Sequence, residues 1–275
     1  MYEEYWQLAT KPFETTSDSR FFYQGESQQA AIHKLRYAVE SRRTAALLAG
    51  PSGIGKTLLC QTLSDQLGEG VGPFVRIVFP LMSSRDFLVY LAEELGAPSC
   101  DPPQQTIEES LRRLEFFLDE NARAGKHAVV VVDEAHLLED SGLLETLRIL
   151  LNLQHQGLPA FTLLLIGQLP LLSAMNRYAA LDDRLDMKMM LKPFTLEETS
   201  GYINHRLQAA EATRSIFSPT AVQMAHQLSQ GIPRKINRLC DLALLVGSAT
   251  GQHTIEAEQL QSVSDELLTV SSAAA

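Results

Sequence analysis

The sequence predicts an α/β protein in which a parallel sheet covered by helices is followed by a small all-helical domain. Three observations support this prediction. Short apolar runs alternate with helical patterns up to Pro193, a glycine-rich loop joins the first run to its helix, and only helical patterns follow Pro193. Strand–helix alternation is typical of a sheet with helices packed on both faces.

The strands are predicted from short runs of aliphatic and β-branched residues, which are typical of strands buried on both faces. These runs are Thr44–Ala49, Phe74–Phe79, Ala128–Val132 and Phe161–Ile166, and Met187–Leu191 is the candidate for a fifth strand. The helical patterns that separate or follow them are Lys56–Leu67, Ser84–Leu95, Thr106–Ala124 and Leu143–Leu153. Ser83 or Ser84 can cap the second helix, and Thr106 with Glu109 forms a capping-box pattern for the third.

The region after Pro193 contains helical patterns alone, and each begins with a plausible cap or a first-turn proline. The predicted helices are Leu196–Glu211, Pro219–Gln230, Pro233–Ser248 and Ile255–Leu268. We therefore expect an α/β domain over residues 44–193 and a helical domain over residues 194–275. Residues 1–43 are expected to form an N-terminal segment that packs on the α/β core.

Composition limits the function classes that remain. The 275 residues are 45% hydrophobic and 20% charged, which is enough apolar material for a core and excludes general disorder. The net charge of −10 disfavours binding to duplex DNA, except through a local basic patch. No apolar run approaches the roughly 18 to 20 residues that a membrane helix needs. The cysteines Cys60, Cys100 and Cys240 lack metal-ligand spacing, so we expect buried free thiols in a cytoplasmic protein.

The glycine-rich loop carries the most specific motif of the sequence. Gly50-Pro51-Ser52-Gly53-Ile54-Gly55-Lys56-Thr57 matches G-x-x-x-x-G-K-[ST] at each fixed position, between a predicted strand and a predicted helix that continues through Leu58. Glycines allow the main-chain N–H groups to surround phosphate oxygens at a helix N-terminus. The sequence therefore predicts an ATP site in which Lys56 contacts the phosphates and Thr57 ligates Mg²⁺.

A second motif follows the third predicted strand, where Val132 is succeeded by Asp133 and Glu134. Asp133 is predicted to hold Mg²⁺, and Glu134 is placed to act as the general base that activates water. The letters Asp133-Glu134-Ala135-His136 also resemble a helicase box. Two-domain helicases need a second nucleotide-binding lobe, however, and the helical remainder of this chain does not provide one.

Polar residues near the next two strands are further candidates. Gln168 follows the fourth strand and can orient the attacking water, the alternative being ordinary turn contacts. Arg184 precedes the fifth strand and can reach the nucleotide of a neighbouring subunit as an arginine finger. Its alternative is an ion pair with a nearby aspartate (Asp182, Asp183 or Asp186), and Arg177 is the second candidate for the finger.

A last candidate lies in the helical domain, where Gly231-Ile232-Pro233-Arg234 opens a helix. Arg234 is placed to fold over the nucleotide of its own subunit. Lys235 and Arg238 lie close by in the sequence and can instead form a small basic face with it.

Taken together, these motifs resemble the AAA+ ATPases and, within them, the ATPase domain of the general secretion pathway protein A (ExeA-like) family. The resemblance includes an N-terminal signature in Lys11-Pro12-Phe13 and Asp18-Ser19-Arg20-Phe21-Phe22-Tyr23, and later Tyr202-Ile203-Asn204-His205-Arg206-Leu207. It implies that Phe13 and Tyr23 form a wall of the adenine pocket, the alternative being simple packing. The secretion members continue into a membrane helix and a peptidoglycan-binding domain, and from its motifs we expect neither in this chain.

The resemblance implies a Mg²⁺-dependent ATPase that self-associates into a ring or filament and drives envelope secretion or assembly through a protein partner, which can be membrane-associated. Its expected location is the cytoplasm, with peripheral attachment to the inner membrane left open. The alternative is an ATP-gated platform on duplex DNA, of the type that regulates transposition. The local basic residues favour this alternative weakly, and the net charge disfavours it.

Overall fold

The computed structural model describes residues 2–14, 18–78, 82–98, 106–139 and 141–272, the last five of these by backbone alone. The chain divides into two compact units. The sheet unit comprises Ser27–Gly50 and Leu59–Leu191, and the helical unit comprises Met1–Glu26, Pro51–Leu58 and Lys192–Ala275. The expected N-terminal segment is thus divided, because residues 1–26 group with the C-terminal helices and residues 27–43 with the sheet.

The strands, in chain order, are β1 (Ala45–Ala49), β2 (Val71–Ile77), β3 (His127–Val132), β4 (Gln154–His155), β5 (Leu158–Pro159), β6 (Phe161–Gly167) and β7 (Leu185–Met190). The helices are α1 (Tyr2–Trp6), α2 (Glu26–Glu40), α3 (Lys56–Gln66), α4 (Ser84–Leu95), α5 (Ile107–Arg123), α6 (Leu143–Leu150), α7 (Pro170–Arg177), α8 (Ala179–Asp182), α9 (Leu196–Ala209), α10 (Pro219–Ser229), α11 (Pro233–Ala249) and α12 (Ala257–Ser272). Short 3₁₀ turns cover Ser19–Phe21 and Ala135–Leu138.

A five-stranded parallel sheet in the order β2–β3–β6–β1–β7 forms the sheet unit. Strand β6 lies between β1 and β3, and Leu165 is in register with both Leu47 and Val132. The residues that follow these three strands therefore leave the sheet at the same carboxyl edge, which is where open α/β sheets bind ligands. The predicted strand at residues 74–79 begins earlier, at Val71, and Phe79 lies outside the described residues.

The core of the sheet unit explains why the sequence shows continuous apolar runs instead of alternation. Every residue of β1 and β3 is buried, because helices cover both faces of the sheet. Phe87 of α4 and Leu114 of α5 pack into the same core. Ser83 and Thr106 accept hydrogen bonds from Asp86 N–H and Glu109 N–H, as their positions before α4 and α5 predict.

The helical unit has a separate core built from α1 and the helices that follow Pro193. The side chain of Trp6 is fully buried, and its indole N–H donates to the carbonyl oxygen of Leu244 at 2.9 Å. Tyr2 donates to the Asp241 carboxylate. These contacts explain why the first residues of the chain group with the C-terminal helices.

The buried guanidinium of Arg206 holds the N-terminal segment that follows α1 in the helical unit. It donates to the carbonyl oxygens of Pro12 and of Glu14, the latter at 2.6 Å, and lies 4.4 Å from the centre of the Phe21 ring. Burial lowers the pKa of Arg206 from its ordinary value. The guanidinium therefore fixes this segment through main-chain atoms and an aromatic face, which a lysine cannot reproduce.

Among the described residues, no helix is long and apolar enough to cross a membrane. Cys60 and Cys240 are buried free thiols, and burial raises the pKa of the Cys60 thiol to about 12. Cys100 lies outside the described residues.

Candidate nucleotide-binding site

The predicted phosphate-binding loop begins at Gly50, in the sheet unit, whose N–H donates to the carbonyl oxygen of Gly167 at 3.2 Å. Gly53 and Gly55 have φ angles of +77° and +99°, a region that favours glycine. Successive main-chain N–H groups in such conformations form concave anion sites. The glycines at these two positions are therefore required by the shape of the loop itself.

The end of the loop is also the start of α3, which begins at Lys56. The first N–H groups of a helix have no partner within it, so this terminus favours phosphate. The Lys56 side chain is 6% exposed, and its ammonium donates to the Pro51 carbonyl oxygen at 3.0 Å. The Lys56 ammonium therefore contacts the main chain of the loop that precedes it. Thr57 and Leu58 occupy the next two positions of the helix.

Arg234, in the first turn of α11, lies against the phosphate-binding loop within the helical unit. Its N–H donates to the Gly53 carbonyl oxygen at 3.1 Å. A Cβ atom on Gly53 would be 2.7 Å from the Cβ atom of Arg234, so a larger residue does not fit there. Arg234 and its neighbour Lys235 are both exposed. Of the predicted site residues, the loop and Arg234 are those that the helical unit brings together.

In the sheet unit, Asp133 and Glu134 follow β3 at its carboxyl edge. Asp133 is 3% exposed, its N–H donates to the Ile77 carbonyl oxygen, and its carboxylate accepts from the Glu134 N–H at 2.9 Å. The backbone of Glu134 is left-handed, with φ +51° and ψ +33°. This conformation is uncommon outside glycine and clusters at functional sites. Glu134 is thereby turned out of the strand direction, and its side chain is 41% exposed.

Gln168 follows β6, the strand between β3 and β1, and lies at the same edge of the sheet. Both main-chain polar groups of Gln168 are hydrogen-bonded. The N–H donates to His136 Nδ1 at 3.4 Å, and the carbonyl oxygen accepts from the Leu171 N–H. Within the described parts of the chain, no group hydrogen-bonds to its side-chain amide, so the amide is available to a ligand.

His136 is a residue that the motif analysis did not assign to the site. Its Nδ1 atom lies 3.4 Å from Glu134 Oε2 as well as 3.4 Å from the Gln168 nitrogen. The sequence feature that could have indicated this residue is its position two residues after Glu134. Only the tertiary structure shows that the strand carrying Gln168 lies beside it.

The two candidate finger arginines are both held within the sheet unit. Arg184 donates to the Asn152 side-chain oxygen at 2.9 Å, instead of forming the ion pair with a neighbouring aspartate that was the alternative. Arg177 pairs with the Glu139 carboxylate. Both bonds have a charged donor, but the contact of Arg177 with Glu139 is also an ion pair, so Arg184 is released from its partner at lower cost.

The two aromatic residues assigned to an adenine wall lie in the core of the helical unit. Phe13 is 2% exposed, and its ring meets that of Phe217 edge-to-face at 5.9 Å. Tyr23 packs edge-to-face against Phe194 at 5.5 Å and is less deeply buried. Tyr23 therefore has more surface for a base than Phe13, and the adenine assignment stays a prediction for both.

The donor chemistry at the carboxyl edge suits Mg²⁺ better than a transition metal. The described residues contain no cluster of three His, Cys, Asp or Glu side chains that could hold a metal. Mg²⁺ bound beside a nucleotide usually takes one or two protein oxygens together with phosphate oxygens and water. The buried Asp133 carboxylate of the sheet unit is an oxygen of this kind, and so is the Thr57 hydroxyl of the helical unit.

Comparison with known proteins identifies the family. A family model for the AAA domain matches residues 39–175. Over 260 residues, 93% of this chain, the sequence is 35% identical to general secretion pathway protein A from Aeromonas hydrophila. The chain belongs to the AAA+ ATPase family. It spans 46% of the length of that secretion protein.

Solved structures of AAA+ proteins share the fold. The ORC2 protein of Aeropyrum pernix, described in ADPNP and ADP complexes, superimposes with a TM-score of 0.70 at 15% identity, over 93% of this chain and 71% of that one. The Aeropyrum pernix ORC1 protein in complex with DNA gives a TM-score of 0.65 at 19% identity, over 90% of this chain and 67% of that one. These likenesses confirm the predicted α/β sheet with its C-terminal helices.

Proposed function

We propose that this AAA+ protein hydrolyses ATP to ADP and phosphate with Mg²⁺, and that it acts as an oligomeric motor or switch for envelope secretion or assembly machinery. The observation that carries the proposal is the left-handed backbone of Glu134, directly after the buried Asp133. Strain of this kind costs about 1 to 3 kcal/mol, so it persists where the surrounding structure imposes it, often at active sites.

Each site residue has a distinct role in the proposed reaction. Lys56 and the main-chain N–H groups of Gly53, Gly55 and Lys56 bind the phosphates. Thr57 and Asp133 would hold Mg²⁺, which when bound would neutralise charge on the phosphate oxygens. Glu134 accepts the proton of the attacking water, and the free side-chain amide of Gln168 orients that water.

The remaining roles belong to arginines. Arg234 contacts the nucleotide of its own subunit, and Arg184 acts on the nucleotide of a neighbouring subunit in a ring or filament. An arginine finger is worth about 10³ to 10⁵ in rate in other phosphoryl-transfer enzymes. A dilute monomer should therefore be nearly inactive, and turnover per molecule should rise as the protein self-associates.

The proposed partner and cellular location are based on the similarity to general secretion pathway protein A. Because the chain resembles general secretion pathway protein A over nearly all of its length, we propose a protein partner in the envelope machinery and a cytoplasmic position at or near the inner membrane. Direct attachment to duplex DNA is the competing function. The net charge of −10 opposes it, and the DNA complex of the ORC1 protein concerns a relative in fold alone.

The test is ATP turnover measured against protein concentration, with and without duplex DNA. We expect specific activity to rise with concentration and to be indifferent to DNA. The Glu134→Gln variant should bind ATP and lose at least about 100-fold in turnover, which is the lower range for a general base. Stimulation by DNA alone would replace the secretion proposal with the DNA platform. Equal turnover in wild type and Glu134→Gln would exclude the proposed mechanism.

A further inference from the structure

A small cavity lies between helices α6 and α8 of the sheet unit. Its volume is about 220 Å³, and Leu144, Arg148, Tyr178, Ala180 and Leu181 are among the residues that line it. Leu144 and Leu181 are each 1% exposed and form an apolar floor. Ala180 is exposed and has no side-chain atom beyond Cβ, so it leaves the mouth of the cavity open.

The size and the lining of the cavity suit one aromatic side chain. An apolar cavity of about 150 Å³ holds benzene in another protein, whereas sites for drug-sized ligands measure about 300 to 1,000 Å³. A phenyl ring in this cavity would rest on the apolar floor beside the ring of Tyr178. Glu145 accepts from Nε of Arg148 at 2.9 Å and from Nη2 at 2.7 Å. These in-plane bonds leave the face of the guanidinium available to an aromatic ring.

The sheet unit exposes an aromatic side chain of this kind on α5. Phe116 is 62% exposed, the largest fraction among the large hydrophobic side chains that the structure describes. The next residue, Phe117, packs against the core, so α5 buries one phenylalanine and presents the other. Phe116 does not line the cavity of its own chain. Burial of the Phe116 ring therefore requires another molecule.

The charges beside the ring and beside the cavity favour a second copy of this chain as that molecule. Arg112 and Glu115 are exposed on α5, one turn before Phe116 and directly before it. Glu145 and Arg148 line the cavity. Each surface thus carries one carboxylate and one guanidinium, and such charges at the rim of a contact determine the choice of partner more than the affinity. A partner with a large excess of one charge, such as DNA, matches neither surface.

From these features we infer that Phe116 of one copy inserts into the α6–α8 cavity of a second copy of this chain. The ring and the cavity are different surfaces of the same molecule, so the contact is heterologous. Contacts of this type repeat head to tail and produce a ring if the rotation closes, or a filament if it does not. The inference rests on the proposed function, because it names the surfaces through which the proposed self-association takes place.

The cavity is joined to the candidate finger Arg184 through the main chain. The Arg184 N–H donates to the carbonyl oxygen of Leu181 at 3.0 Å, and Leu181 forms part of the cavity floor. A ring that docks on Leu181 therefore contacts the turn that holds Arg184. The copy that provides the cavity is thus also the copy that provides the finger to its neighbour.

The test is analytical ultracentrifugation of the variants Phe116→Glu and Ala180→Trp, alone and mixed, with and without ATP. Phe116→Glu removes the ring and keeps the cavity, whereas Ala180→Trp fills the cavity and keeps the ring. We expect each variant alone to associate about 30-fold more weakly than wild type or worse, which is the effect of removing a central interface residue. The equimolar mixture should form a dimer and no larger species, because one intact ring and one intact cavity remain.

Matched controls separate this contact from general effects of the substitutions. Ile107 of α5 is 46% exposed and lies nine residues before Phe116, half a turn away around the helix. Ala249 is an exposed alanine of α11. Ile107→Glu and Ala249→Trp should associate as wild type does. The inference is wrong if wild type stays monomeric, if either Phe116→Glu or Ala180→Trp associates normally, or if the two variants, folded by their unfolding temperatures, yield no dimer when mixed.

Turnover in the mixture separates the contact from the proposed function. The Phe116→Glu copy provides the cavity and hence Arg184. Arg184→Ala in that copy should therefore lower turnover of the mixed dimer about 10³-fold more than Arg184→Ala in the Ala180→Trp copy. The opposite order would overturn the inference. A mixed dimer that hydrolyses no ATP in any combination would contradict the proposed function, while the dimer itself still establishes the contact.

Discussion

The N–H of Arg234 donates a hydrogen bond to the carbonyl oxygen of Gly53 at 3.1 Å, which joins the first turn of α11 to the phosphate-binding loop. The contact is made by main-chain atoms, so it does not depend on the arginine side chain. The side chain is exposed and is therefore available for a nucleotide. Docking of the helix and the proposed contact with the nucleotide therefore use different atoms of one residue.

This separation predicts the effect of Arg234→Ala. The variant should keep its unfolding temperature, because the N–H group remains, and should bind ATP about tenfold more weakly or worse, since a charge-assisted contact worth about 1.5 to 3 kcal/mol is lost. Binding of a fluorescent ATP analogue and thermal unfolding measure the two effects. Lys235→Ala, the exposed neighbour, is the control and should change neither. An Arg234→Ala variant that binds ATP normally would remove Arg234 from the site.

Two glycines with the same backbone conformation predict different costs of an added methyl group. Gly231 and Gly251 both have φ of +70°, but a Cβ atom would lie 2.1 Å from the Phe194 carbonyl oxygen at Gly231 and would meet no atom within 4 Å at Gly251. Gly251→Ala should cost about 1 to 2 kcal/mol of unfolding free energy from the backbone alone. Gly231→Ala should cost about 3 kcal/mol or more, because steric displacement adds to the same strain.

Denaturant titration followed by the fluorescence of Trp6 measures this difference, since Trp6 is the single tryptophan and is buried in the helical unit. Similar losses in the two variants would mean that the turn at Gly231 adapts to the added group.

The two candidate arginine fingers differ in the side chain to which each one is bonded in this structure. Arg184 is bonded to the Asn152 amide and Arg177 to the Glu139 carboxylate. We expect Arg184→Ala to lower turnover at high protein concentration by about 10³-fold or more, while nucleotide binding is retained. Arg177→Ala, which removes a surface ion pair, should stay within about 1 kcal/mol of wild type in stability and near wild type in turnover. The reverse ranking would assign the finger to Arg177.

The buried His127 predicts a pH-dependent term in stability. Thr162 donates its hydroxyl proton to the Arg43 carbonyl oxygen at 2.6 Å, so it accepts from His127 Nε2–H at 2.8 Å. Burial, aided by the charge of Arg42, lowers the pKa of His127 to about 4 from an ordinary 6.5. Between these values the unfolded chain binds the proton and the folded protein does not, so stability falls as pH drops from 6.5 to 4.

The expected loss of unfolding free energy is on the order of 3 kcal/mol, and it should be complete below the folded pKa. His127→Gln keeps a donor for Thr162 and does not titrate. Urea unfolding of both proteins at a series of pH values isolates the contribution of His127 to the unfolding free energy. The carboxylates are the same in both proteins, so their contribution cancels in the difference. Parallel pH curves for wild type and His127→Gln would contradict the assignment.

The local patterns of the sequence predict the elements well. Helix α4 occupies the predicted residues Ser84–Leu95, and β1 lies within the predicted run Thr44–Ala49. Caps, prolines and apolar periodicity act between residues a few positions apart, so they can be read from the chain directly. The hairpin of β4 and β5 was not predicted, because its strands of two residues each are too short to produce a periodic signal.

The sequence by itself determined which residues are candidates for the site, since the glycine-rich loop and the Asp133-Glu134 pair are defined by adjacent residues. The tertiary structure decided which of these residues meet their partners. The left-handed turn at Glu134, the contact of His136 with Gln168 and the bond of Arg234 to Gly53 depend on groups brought together by strand order and helix packing. Such pairings are fixed by the burial of apolar faces over the whole fold, and local periodicity does not specify them.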